Sequence, residues 1–152
     1  MIFNRTQADV DIAITLRKKL QAGQSLNDSE KAIIERGTCT ISMLNRVENK
    51  QVELSRILNE MAYTITIENK TDWAYTDIFT YQDHQRLLNN LDKLKEAYFS
   101  YTSTPKAPTY MFGYRQANDI EKILVDIENM INDMTSRFRE CGTFECGEEN
   151  KL

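Results

Sequence analysis

The chain has 152 residues, 41% hydrophobic and 28% charged, and its 19 basic and 23 acidic side chains give a formal net charge of −4. That length fits one domain with a sizeable core, and the mild, interspersed charge argues against a nucleic-acid footprint or a polybasic membrane patch. No apolar run approaches the ~18 residues of a membrane span, and the first residues lack a signal-peptide pattern, so cytoplasmic synthesis is expected.

Five glycines and two prolines in the whole chain suit long helices joined by a few loops. The expected fold is all-α: a single domain over 1–152, with a helix pair over 1–38, a main bundle over 40–138 and a tail over 139–152. About five helices are predicted.

Thr6 with Asp9 nearly makes a capping box, opening a helix whose apolar face is Val10, Ala13, Ile14, Leu16 and Leu20 before Gly23 ends it. Asn27 with Glu30 opens a second, shorter helix, and Gly37 closes it at a C′ position. The third runs from Thr40 to about Met61, with Ile41, Leu44, Val47, Leu54, Leu58 and Met61 on one stripe. Its polar side includes Asn45, Arg46, Glu48 and Lys50, and Gln51 is expected at the edge of the buried face, the alternative being a buried polar site.

Tyr63 to Glu68 alternates β-branched and apolar residues, as an extended segment or a strapped-down loop would. The connector from Thr71 to Phe79 is dense in aromatics, among them Trp73 and Tyr75. It is expected to lie over the core, the alternative being an aromatic patch for a sugar or a partner protein.

Thr80 with Asp83 starts a fourth helix, with Leu87, Leu88, Leu91, Leu94 and Tyr98 inward. His84, the one histidine, reads as a surface or boundary residue, because neither metal-ligand company nor a nucleophile stands near it in sequence. Pro105 and Pro108 hold Ser100–Arg115 out of helix and Tyr101, Tyr110, Phe112 and Tyr114 give it contact surface, so it is expected to return the chain for antiparallel packing of the fifth helix on the fourth.

That fifth helix, Gln116 to Phe138, is the longest amphipathic segment. Ala117, Ile120, Leu124, Ile127, Ile131, Met134 and Phe138 form its apolar face, and Asp119, Glu121, Lys122, Asp126, Glu128 and Asp133 are expected to face water. A β-like hairpin tail carrying Phe144 follows, with a repeated Glu-Cys-Gly. A two-residue turn would keep Cys141 and Cys146 apart, whereas a four-residue loop would oppose them.

An odd count of three cysteines does not suggest a disulfide framework. Cys-x4-Cys alone falls short of four zinc ligands unless a symmetric assembly brings two tails together. No metal, cofactor or catalytic constellation is expected, and therefore no enzyme.

Four stretches, Asn4-Arg5-Thr-Gln-Ala-Asp-Val-Asp, Leu44-Asn-Arg-Val-Glu48, Lys70-Thr-Asp-Trp73 and Ala117-Asn-Asp-Ile-Glu-Lys-Ile-Leu124, precede the terminal Gly-Glu repeat. Together they resemble small proteins encoded among the tail genes of phages and prophages of Gram-positive bacteria; in that group the terminal repeats carry small residues where this chain has cysteine. The resemblance implies a virion structural protein of the tail tip, baseplate or fibre-attachment region, oligomeric and bound to other tail proteins. Candidate contacts are Trp73, Tyr75, Tyr110, Phe112 and Phe144, each of which could equally pack into the core. The rival reading is a non-virion helical adaptor or regulatory protein with one protein partner.

Overall fold

The computed structural model describes residues 1–97, 101–110 and 113–140. Tyr98, Phe112, Cys141, Phe144, Cys146 and the β-like tail lie outside the described residues, as does the side chain of Phe138. Five helices form the described part, with no strand among the described residues: α1 Gln7–Gln21, α2 Asp28–Gly37, α3 Ile41–Glu60, α4 Tyr81–Ala97 and α5 Tyr114–Glu140. The expected all-α bundle is what forms.

Local signals set the helix starts. Thr6 with Asp9 and Asn27 with Glu30 form reciprocal capping boxes, and Thr40 caps α3 by accepting from the Met43 amide. Thr80 and Asp83 exchange the same pair of bonds ahead of α4. Gly23, with φ at +76°, takes the left-handed position that ends α1.

Gly37 departs from its expected role. It is the buried last residue of α2, and a Cβ there would collide with the Asp9 carbonyl oxygen and the Ala13 side chain. It permits close approach of α1 and α2, which run antiparallel with Arg36 bonded to Asp9 at one end and Lys19 to Glu30 at the other.

The core is built by α3, α4 and α5, with Leu54, Leu58, Leu91, Leu94, Ile123 and Leu124 fully buried, and Ile65 and Trp73 join it from the connector. The apolar stripes of these three helices face inward as their spacing predicts. Neither α1 nor α2 supplies a buried member of this core.

Contacts fix the helix directions. Arg46 meets Glu121 and Lys50 meets Glu128, so α5 runs in the same sense as α3. Glu48 meets Arg86 and Gln51 meets the Leu87 carbonyl, so α4 does too. The antiparallel packing of α5 on α4 is thus corrected: all three helices run the same way. Each return must then travel the length of the bundle, which is why the two connections are long.

The first return has no sheet to join among the described residues, and side chains of the helices take the place of neighbouring strands. The first, over 61–80, is a strapped loop rather than a strand. Asn59, Asn90 and Asn45 each grip one residue of it by both backbone groups: Ile65, Glu68 and Trp73 in turn. Asn118 grips Arg5 in the same way. A side-chain amide, with one acceptor and two donors, can pair with an extended residue as a neighbouring strand would.

Asn59→Ala leaves the Ile65 N–H and C=O without these partners, both at 2.9 Å, and should cost about 1–3 kcal/mol. Asn49→Ala, on the exposed side of α3, should stay within about 0.5 kcal/mol. Urea unfolding of the two variants, with amide exchange at Ile65, checks the contrast.

Candidate functional site

Two fully buried glutamates organise the surface that the helices present. Glu48 was expected on a polar side of α3, yet its carboxylate accepts from the Trp73 indole Nε1–H at 2.9 Å, the Lys70 amide at 2.6 Å and Arg86 Nη2 at 2.9 Å. A buried carboxylate is tolerable only with such partners.

Glu121 was expected in water. It accepts instead from Arg5 at 2.8 Å and Arg46 at 2.9 Å, with the Ile2 amide also bonded to it. Asp126, likewise expected outside, is 3% exposed and holds Thr104 of the second return at 2.8 Å, with Lys122 on its other oxygen. Each of these carboxylates is covered by a non-helical segment that helical periodicity does not reveal. Gln51 is buried rather than at an edge, donating to the Leu87 carbonyl at 2.9 Å.

The connector carries a braced turn outward from the Glu48 anchor. Trp73 is 5% exposed, lies 4.3 Å beneath the Lys70 ammonium and 5.5 Å from the Phe79 ring, and belongs to the core. Asp77 accepts from the Ala74 amide at 3.0 Å and from Lys70 Nζ at 2.7 Å, while its own N–H donates to the Ala74 carbonyl. The Lys70 hydrogen bond, then that of Ala74, holds the Asp77 carboxyl below its ordinary range.

On this braced backbone Tyr75 is 97% exposed and Ile78 83%, and Tyr81 follows at 75%. The connector therefore divides: Trp73 and Phe79 pack inward, Tyr75 and Ile78 point out. Ile78 and Phe79 are both apolar and both lie in the connector expected to cover the core, and only the turn geometry separates them. Tyr110 is also exposed, but nothing among the described residues brings it to this turn.

Beside the turn lies a groove of about 640 Å³ with apolar walls from Leu20, Leu26, Ile34, Ile41 and Tyr75, and with Arg17, Lys31 and Glu35 also lining it. It exists because the expected face of α1 is only partly covered: Ala13 and Leu16 are buried, whereas Ile14 and Leu20 are about half exposed. A second depression of about 520 Å³ follows the polar side of α4, and a third of about 300 Å³ lies where Arg5 meets α2 and α5.

Among the described residues no group of His, Cys, Asp and Glu could hold a metal ion, and no helix is long and apolar enough to cross a membrane. His84 corrects the expectation of a surface or boundary residue. It is 4% exposed, with the Tyr81 ring 6.1 Å away and the Gln85 amide 3.4 Å from Nδ1. What the site offers is apolar side chains on a fixed backbone next to an apolar groove, an arrangement for contact. Comparison of the chain with family models, curated proteins and solved structures gave no match.

Burial holds the His84 imidazole below its ordinary 6.5, so the unfolded chain binds a proton near that pH that the native chain does not. This contribution to stability is complete above pH 6.5 and is lost as pH falls from there through the folded value. Urea midpoints at about pH 7.5 and 5.5 should differ in the native chain and much less in His84→Phe, because the phenyl ring removes this proton linkage.

Proposed function

We propose that this protein is a structural subunit of a phage virion, from the tail tip, baseplate or fibre-attachment region, and that it works by docking on other virion proteins. The observation that carries the reading is the pair of large apolar side chains, Tyr75 and Ile78, held almost wholly in water on a braced turn. Each loses on the order of 1.5–3 kcal/mol of available burial by standing exposed. Backbone fixed beforehand reduces the ordering cost when a neighbouring protein covers such groups.

The resemblance to tail-region proteins supplies the setting, and a compact helical body with a fixed contact surface suits repeated placement in a symmetric particle. The protein is made in the host cytoplasm and then carried in the virion.

Mass spectrometry of purified particles tests this. The protein should be present at a fixed copy number relative to the other tail proteins, and disrupting its gene should remove a tail component or stop tail assembly. Absence from particles that assemble normally without it would overturn the reading in favour of a non-virion adaptor.

A further inference from the structure

We infer that the turn carrying Tyr75 and Ile78 is the docking element for a second copy of this same chain, and that it enters the groove walled by Leu20, Leu26, Ile34 and Ile41. This deepens the assembly reading and rests on it for its biological setting.

The two halves of such a contact are present on one chain. The turn offers a protruding pair of apolar side chains, 97% and 83% exposed, and the groove of about 640 Å³ offers apolar walls. Tyr75 forms one edge of its own groove without filling it. The apolar surface is therefore continuous from groove to turn. A surface with projection and recess side by side is self-complementary: a two-fold pair can place each projection in the other copy's recess, and a head-to-tail arrangement can build a ring.

Charge points the same way. Residues 72–83 contain Asp72, Asp77 and Asp83 and no lysine or arginine, whereas α1 ends in Arg17, Lys18 and Lys19. Asp77 is neutralised by Lys70, Asp83 lies 3.3 Å from Arg86, and Lys19 is paired with Glu30. Lys31 and Glu35, which also line the groove, are paired with Asp28 and Arg46; Asp72, which acts on Lys70 only through space, and Arg17 make no ion pair of their own among the described residues. Asp72 of the turn would approach Arg17 of the recess, which favours this pairing and disfavours turn against turn. The contact is small by the standard of stable interfaces, so it is a weak one that repeated copies in an assembly would reinforce.

The experiment uses the full chain and sedimentation equilibrium over a range of concentrations. The native chain should self-associate as concentration rises. Ile78→Ser, a turn variant outside the groove wall, and Leu20→Glu, a groove variant, should each weaken association by at least about 10-fold. Both changes fall on side chains already exposed, so circular dichroism and melting should match the native chain.

The two variants are then mixed. The turn variant keeps an intact groove and the groove variant an intact turn, so a one-to-one complex should form although neither variant associates alone. A native chain that stays monomeric up to about 1 mM would overturn the inference, since so weak a contact falls below about 4 kcal/mol. Association that survives either variant, or a mixture that remains monomeric, would overturn it as well. None of these failures alters whether the protein is found in particles, so the two readings fail separately.

Discussion

Glu48 sits wholly out of water in the middle of α3, and its carboxylate is shared by an indole, a backbone amide and a guanidinium. Alone, a charge in that position would be prohibitive. With its donors it joins three parts of the chain at one point: α3, the first return and α4. Three core helices running in the same sense need long extended returns, and an extended return over a helical core has backbone groups to satisfy and no strand beside it. The answer recurs along the chain. Glu121 anchors the segment before α1, Glu48 the first return and Asp126 the second, while asparagines at 45, 59, 90 and 118 supply the paired bonds a strand would give.

The same anchoring shapes the outer surface. Because Trp73 is fixed by Asn45 and Glu48, the turn after it cannot sink onto the core, and Tyr75 and Ile78 remain outside. The α1–α2 pair adds no buried side chain to the main core and is tied to it by charged bonds, with Arg46 joining Glu35 of α2 to Glu121 of α5. A pair attached in this way leaves part of its apolar face open, and that face becomes a wall of the groove. The contact surface is thus a consequence of how the returns and the helix pair are fastened.

Much of this was legible in the residues. Capping pairs marked the helix starts, and the apolar stripes of α3, α4 and α5 named most of the core, because both signals are local. Helix direction was not legible, since periodicity is the same for parallel and antiparallel neighbours. Glu48, Glu121 and Asp126 read as facing water because a helical wheel places polar side chains outside and cannot see a non-helical segment lying over them, and Gln51 reads as an edge residue because the wheel cannot see the α4 carbonyl it donates to. Gly37 was misread for a similar reason: only the approach of α1 shows that its missing Cβ matters. The stretches on which the resemblance rests meet in space, Arg5 with Asn118 and Glu121, and Asn45 and Glu48 with Lys70 and Trp73. They are the fastening residues of the fold, so the likeness speaks first to architecture.

Buried side chains hold the first return in place of a sheet, and the Glu48–Trp73 bond is where this is most directly tested. A double-mutant cycle with Glu48→Gln and Trp73→Phe, read by urea unfolding, measures how far the two residues act together. Coupling of more than about 1 kcal/mol is predicted for so buried a pair. Additivity to within about 0.3 kcal/mol would contradict the account, because the return would then be held by apolar packing alone.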